Sequence, residues 1–232
     1  MARLGEVTMR ISIIIPTLNE SATIARTLAM VRKGLDIEII VADGGSVDTT
    51  VKLAKSFRIK TIVTKPGRAR QMNSGAESAE GDALLFLHAD TVLPEGYDSH
   101  VRKALSKPGV VAGAFELSID SPYPGLRVIE RLANWRSRAF GLPYGDQAIF
   151  VKADAFRDSG GYSDMPVMED FELMRRLGKM GKIEIVPLPA VTSARRWERQ
   201  GFFRTTLIHQ GVIAAYYLGV PPEKIARWAR RG

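Results

Sequence analysis

The sequence predicts an α/β protein: a mostly parallel, helix-flanked sheet built in the first half, with a C-terminal helical segment behind it. Three observations carry this. Short β-branched runs alternate with amphipathic stretches four times before residue 90, the pattern of βα units. The first run, Ile11 to Ile15, is continuously apolar, as a strand covered on both faces must be. With 232 residues, 45% of them apolar, the chain can also bury one large core without staples.

The elements follow in order. After the first strand a helix is expected from about Ser21 to Lys33, where Ile24, Leu28 and Val31 recur at helical spacing and Gly34 stops the turn. Ile37 to Ala42 is the second strand. Beyond the turn DGGSVD, a helix with Val47, Val51, Ala54 and Phe57 on one face leads to strand three, Ile59 to Thr64. A helix over Arg70 to Ala79 precedes strand four, Ala83 to Leu87. The second half is less regular, with strands at Val110 to Ile119, Ala148 to Lys152 and Ile183 to Val186, and helices at Gly125 to Phe140, Glu169 to Met180 and Phe202 to Leu218. Pro221 and Pro222 then break the chain before a basic last turn. No repeat or linker divides it, so residues 1–232 read as one domain, with a nucleotide-binding half at about 10–93.

Charge narrows the partners. The chain carries 33 Lys and Arg against 25 Asp and Glu, a net +8. From Arg195 onward eight bases face two acids, so the tail holds +6 and the body only +2. A near-neutral body argues against nucleic acid, whose binding scales with the phosphates neutralised. The tail, with the apolar Phe202 to Leu218 helix and Trp228, is instead expected to touch an anionic membrane surface peripherally. Zero cysteines exclude a disulfide scaffold, a Cys-ligated zinc and a cysteine nucleophile. The opening MARLGEVTMR lacks a signal-peptide core, and no apolar run approaches the ~20 residues of a membrane span. A cytoplasmic protein, peripheral at most to the inner membrane face, is the expectation. Neither a Gly-x-x-x-x-Gly-Lys-Ser/Thr loop nor a Gly-x-Gly-x-x-Gly is present, which weakens P-loop and dehydrogenase readings.

Ligands of open α/β sheets collect at the carboxyl ends of strands. There the sequence places Pro16, Thr17, Asn19 and Glu20 after strand one, Asp43 to Thr49 after strand two, and His88-Ala89-Asp90 after strand four. Helix capping accounts equally well for any one of these loops, since Asn19, Ser21, Ser46 and Asp48 are good N-caps. Three polar rims in succession are harder to explain that way.

These loops, together with GRARQMNSGAESAEGDALLFLHAD and GGYSDMPVMEDFELMRRLGKMG, resemble the family 2 glycosyltransferases of the GT-A fold over nearly the whole chain. HAD, GDQAIF, MEDFELMRRLG and SARRW together are similar to a subgroup labelled selenodomain-associated or arsenosugar-biosynthesis glycosyltransferase. The resemblance implies a Rossmann-like three-layer fold, an acceptor and catalytic half at about 94–197, and basic helices over 198–232. It also implies a nucleoside-diphosphate sugar as donor, a UDP-sugar ahead of a GDP-sugar, and a small-molecule or lipid-linked hydroxyl acceptor. By the same resemblance Thr17 to Glu20 and Asp43 hold base and ribose, while Arg68, Arg70 and Asn73 belong to the donor site. The family's Asp-x-Asp metal motif stands here as His88-Ala89-Asp90, so Asp90 is the expected ligand of Mn or Mg, while His88 replaces the first acid and leaves open whether it takes over the usual ribose contact. His209 is a second metal candidate by analogy.

For catalysis, Glu169 and Asp170 open a helix whose Leu173, Met174, Leu177 and Met180 supply a buried stripe. Acids suit a helix N-terminus for dipole reasons alone. The resemblance makes Asp170 the general base of an inverting displacement. The helix end lowers its pKa while Glu169 and Glu172 raise it, and sequence alone does not decide between them. Gly161 is expected near donor and acceptor, and Gly145-Asp146-Gln147 is a polar loop that serves equally as a turn. SARRW lacks the leading Gln of the processive Gln-x-x-Arg-Trp motif, leaving Arg196 and Trp197 as a phosphate contact and a sugar-stacking face.

Overall fold

The computed structural model describes residues 9–231, the side chains of Arg196, Arg199, Gln200, Phe202, Phe203, His209, Arg230 and Arg231 apart. Its elements are β1 (Ile11–Thr17), α1 (Ile24–Val31), β2 (Ile37–Asp43), α2 (Thr50–Ser56), β3 (Lys60–Val63), α3 (Arg68–Glu77), β4 (Ala83–Phe86), β5 (Thr91–Val92), α4 (Tyr97–Leu105), β6 (Val110–Asp120) and α5 (Pro124–Phe140). A 3-10 turn (Gly145–Gln147) leads into β7 (Phe150–Lys152), α6 (Ala153–Asp158), α7 (Glu169–Met180), β8 (Lys182–Ser193), α8 (Arg195–Gln200), α9 (Phe202–Tyr217) and α10 (Pro222–Arg231).

The strands form one sheet in the order β3-β2-β1-β4-β7-β6-β8-β5. The β3-β2-β1-β4 portion is parallel, as alternation of strand and helix requires. β7 then pairs antiparallel with both β4 and β6, and β5 with β8, while β6 and β8 pair parallel, so the sheet is mostly parallel with antiparallel pairings at β7 and β5. Alternate residues of β1 face opposite layers: Ile11, Ile13 and Ile15 pack with Ile24 and Leu28 of α1, whereas Ile14 packs with Met72 of α3 and Leu173 of α7. That is the three-layer sandwich.

Several sequence expectations shift. β1 runs on through Pro16 and Thr17, and α3 begins at Arg68 rather than Arg70. Val47 precedes α2 and is 92% exposed, and Met180 is exposed at the open end of α7, so neither joins a buried stripe. The last strand is not the short Ile183 to Val186 segment but reaches Ser193, because Pro187 and Pro189 fall at a register shift against β6, where missing N–H donors cost no ladder bond. The basic last turn is a full helix, α10, whose Ile225 and Ala226 are buried.

One edge is completed without a strand. β7 covers β6 only at Ala112 and Gly113. Farther along, Asn134 of α5 accepts from Leu117 N at 2.7 Å and donates to Leu117 O at 3.0 Å, and Glu130 accepts from Ile119 N at 2.5 Å. Gln147 donates to Phe115 O at 3.0 Å. Side chains of α5 and the 3-10 turn thus satisfy backbone groups that water would otherwise have to reach.

Candidate active site

The loops after β1 and β2 are stitched into one rim. Thr17 Oγ1 and Ser46 Oγ donate to Asp43 Oδ2 at 3.0 and 2.6 Å, while Gly45 N and Ser46 N donate to Oδ1 at 2.9 and 2.7 Å. Asp43 is 1% exposed, and these four bonds fill its lone-pair positions. Asn19, at φ 56°, accepts from Val47 N at 2.9 Å and takes Ser46 Oγ on its own N–H at 2.8 Å. Asp43 therefore holds the turn, and its carboxylate has no vacant acceptor position. Gln71, which the sequence reading passed over, is 4% exposed and donates to both Thr17 O and Ala42 O, pinning α3 beneath the two loops. A polar residue on the buried side of a helix was the signal available for it.

A second cluster gathers from far apart in sequence. Glu169 and Asp170, 1% and 7% exposed, stand at the start of α7, where Arg68 from α3 hydrogen-bonds Glu169 Oε1 and approaches Asp170 Oδ2 at 3.8 Å. Gly145 N donates to Asp170 Oδ2 at 3.2 Å. A Cβ on Gly145 would lie 2.5 Å from that oxygen, so only glycine allows the approach. Asp170 Oδ1, Glu169 Oε2, Tyr162 Oη and His88 Nε2 are all buried without a hydrogen-bond partner.

That density of unpaired polar atoms sets the protonation states. Burial foremost, then the Glu169 charge, pushes Asp170 up to about 7. Glu172 takes no part: it is bound by Arg176 and Ser163, and these hold it below the ordinary carboxylate range despite partial burial. The expectation that Glu172 raises Asp170 is thereby corrected, and burial outweighs the helix end. Burial, reinforced by Arg68, drives His88 down to about 4, so it stands neutral. Asp146, beside Arg136 and Arg68, is pushed upward by burial.

Other expected residues have different surroundings. Asn73 spans the backbone of Tyr162, donating to its carbonyl and accepting from its N–H at 2.8 Å each, and it lies where a Cβ on Gly161 would intrude. Asn73 and Gly161 thus work as one clamp that presents Tyr162. Arg70 points away, pairing with Asp164 at 2.6 Å on the surface. Trp197 packs on the small core of Leu117, Ile119 and Leu126, away from an open stacking position. The side chains of Arg196 and His209 lie outside the described residues.

Asp90 has an unforeseen partner. Arg195 Nη2 donates to Asp90 Oδ2 and to Glu20 Oε2, both at 2.8 Å, tying the β4 and β1 loops to the start of α8. Among the described residues no three His, Cys, Asp or Glu side chains group to hold a metal. A single hard carboxylate at a strand end fits Mn or Mg held mainly by a diphosphate and water, and does not fit a closed protein cage.

The topology and this polar strand-end cleft are those of the GT-A fold. Residues 12–159 match the family described as Glycosyl transferase family 2, and the chain belongs to that family. A PGL/p-HBAD biosynthesis glycosyltransferase of Mycobacterium tuberculosis is 34% identical over 169 residues, covering 66% of this chain and 62% of that protein. This chain therefore spans less than two thirds of that relative's length. Among solved structures, the mannosyltransferase of Pyrobaculum calidifontis in complex with GDP-Man and Mn2+ superposes with a TM-score of 0.68 at 19% identity, over 96% of this chain and 68% of that one. Glucosyl-3-phosphoglycerate synthase of Mycobacterium tuberculosis, with Mn2+, UDP and glucosyl-3-phosphoglycerate, gives 0.66 at 17% identity, over 92% and 81%.

Proposed function

We propose that this protein is an inverting glycosyltransferase that moves a sugar from a nucleoside-diphosphate sugar to a hydroxyl acceptor. The observation that carries the reading is Asp170: a buried carboxylate titrating near neutrality, oriented through Oδ2 by Gly145 N–H, with Oδ1 unpaired. A base with a pKa near the working pH is the efficient one. The acceptor oxygen attacks the anomeric carbon, its proton passes to Asp170 Oδ1, and the bond to the diphosphate oxygen breaks with the electron pair leaving on the nucleoside diphosphate.

The other roles follow from position. Arg68 hydrogen-bonds Glu169 beside the base, and neutral His88 can donate one hydrogen bond without adding charge. Asp90 would hold Mn or Mg, which neutralises charge developing on the departing diphosphate; His209 is proposed as its second protein ligand and Arg196 as a phosphate contact. Pro16, Thr17, Asn19 and Glu20 frame the nucleotide. Asp43 acts by fixing that frame.

A UDP-sugar is the preferred donor and a GDP-sugar the second, in keeping with the nucleotides named in the two solved relatives. The acceptor is a small molecule or a lipid-linked one, and the selenodomain-associated subgroup is the proposed kinship. No described helix is long and apolar enough to cross a membrane. Cytoplasmic residence, with the basic tail touching the inner membrane face, belongs to the same proposal.

A panel of UDP-, GDP- and dTDP-sugars with and without Mn2+, read by thermal shift, tests donor binding because a ligand of the native state raises its apparent melting temperature. Release of nucleoside diphosphate is then followed for the sugar that binds. Stabilisation by one nucleotide class with slow Mn2+-dependent release is expected. Binding with no release under any condition would make the protein a noncatalytic nucleotide-sugar binder.

A further inference from the structure

A helix on the surface of a globular protein ordinarily turns its apolar stripe inward and its polar face to water. Helix α5 is largely reversed. Toward the sheet it sends Glu130, Asn134 and Ser137 beside Leu126 and Ala133, and the polar ones are consumed by the β6 edge and by Gln147. Toward solvent it presents Val128, Leu132 and Trp135, 56%, 61% and 60% exposed at i, i+4 and i+7, followed by Phe140 at 62%. The Trp135 and Phe140 rings lie 5.5 Å apart, edge to face. No acid stands on the exposed face of α5; the charges there are Arg131 and Arg138, the second paired with Glu116. Past Phe140 a cleft continues to Arg175 and Lys179 of α7.

We infer that the outer face of α5 docks on an anionic lipid bilayer, lying in the interface with Leu132, Trp135 and Phe140 among the acyl chains and its arginines at the headgroups. A row of aliphatic and aromatic side chains flanked by Arg131 and by Arg138 with its partner Glu116, and followed past Phe140 by Arg175 and Lys179, carries a net positive charge that complements such a surface. It complements itself less well, because a second copy would bring together two faces of the same net positive charge, Glu116 being already taken by Arg138. The inference shares with the proposed function only the peripheral membrane contact, and moves its apolar part from the tail to α5. In α10 Ile225 and Ala226 are buried and Trp228, half-exposed, closes on Gly211, so that helix offers chiefly Lys224 and Arg227, while the exposed Leu207, Tyr217 and Leu218 belong to α9 and its end. The inward side of α5 explains the benefit. Arg136 stacks 3.7 Å over Tyr144, the residue leading into the turn whose Gly145 N–H orients Asp170. A docked α5 holds the acceptor side of the cleft at the membrane.

The test uses the full chain and vesicles of phosphatidylglycerol and phosphatidylcholine, with phosphatidylcholine alone as control. In a Trp197→Phe, Trp228→Phe variant, Trp135 emission should shift to the blue on anionic vesicles and be quenched by brominated acyl chains. Leu132→Glu with Trp135→Glu should weaken co-flotation at least tenfold while leaving circular dichroism, melting temperature and donor-sugar binding unchanged. Lys224→Glu with Arg227→Glu should weaken it less. Should the glutamate pair fail to fold, the quenching experiment in the folded chain decides alone. The inference is overturned if the chain ignores anionic vesicles at low salt, if Trp135 is not quenched, if the tail variant abolishes binding that the α5 variant keeps, or if Leu132→Glu dissociates a dimer without touching vesicle binding. Loss of donor binding across all variants would count against the enzymatic reading and not against the docking face.

Discussion

The rim formed after β1 and β2 and the cluster around α7 are both rich in polar side chains, yet they are finished to opposite degrees. In the rim, Thr17, Asn19, Asp43 and Ser46 hydrogen-bond one another. In the cluster, His88, Tyr162, Glu169 and Asp170 each keep a buried atom without a partner. Buried polar groups are normally satisfied, because leaving one unmade costs the full desolvation penalty. A saturated rim is a rigid cradle that a nucleotide can meet without reorganisation. An unsatisfied cluster keeps hydrogen-bonding capacity in reserve, and the proposed function gives that capacity to substrate. Strain sits there as well, in Ala148 directly after the 3-10 turn and Met168 directly before the acid pair, both at positive φ.

The largest effect should come from the centre of the cluster. Asp170→Asn keeps the shape and removes the base, so transfer should fall by about 10³-fold while nucleotide binding by calorimetry is retained. The same variant separates stability from catalysis. The folded pKa of about 7 lies above that of an unfolded aspartate, so between roughly pH 4 and 7 the native state binds the extra proton and stability declines as pH rises. Wild type should lose on the order of 2 to 4 kcal/mol from this group across that window, and Asp170→Asn should not. Parallel pH–stability curves for the two chains would remove the buried-base assignment.

Next in size is Gly145→Ala, whose Cβ would crowd the Asp170 carboxylate. Overpacking of this kind costs about 1–3 kcal/mol, and activity should drop further than stability because the base itself is displaced. Glu169→Gln removes the neighbouring charge that raises Asp170. The acidic limb of the rate profile should move down by about one pH unit, and an unmoved limb would show that the pair is not coupled.

On the satisfied side the expected effects are structural and smaller. Asn73→Ala breaks both bonds to the Tyr162 backbone and should cost about 1–3 kcal/mol in denaturant melts. Least affected should be Arg195→Gln, whose partly exposed pairs contribute under about 1 kcal/mol. Its distinctive signature is a tighter grip on Mn2+ by the nucleotide-free chain, since the guanidinium no longer competes for Asp90. Unchanged Mn2+ affinity would place the cation elsewhere.

Much of the first half is legible in the sequence, because consecutive βα units pair with their neighbours and local periodicity suffices. Ile24, Leu28 and Val31 are buried where their spacing put them. The second half was legible in part: β6, α5, α7 and α9 lie where the sequence places them, to within a residue at each end. β8 was cut short by prolines whose tolerance depends on a register shift in another strand, and β5, α4 and α6 have too little periodicity to announce themselves. Glu169 and Asp170 are singled out by motif, and Arg195 by the basic tail as a diphosphate contact, but its pairing with Glu20 and Asp90 exists only once residues 20, 90 and 195 converge.

By itself the sequence determined the alternation that builds a helix-covered sheet, the positions of the strand-end loops, and the acid pair at the head of α7, all properties of neighbours along the chain. Only the tertiary structure decided what those groups are. It spent Asp43 and Asn73 on holding backbone, turned Arg70 outward, buried Asp170 beside Glu169 so that it titrates near neutrality, and faced the apolar side of α5 to solvent. Local spacing sets which way a side chain points from its own helix or strand. Its hydrogen bonds, its desolvation and its charge state are set by the residues that folding brings against it from elsewhere in the chain.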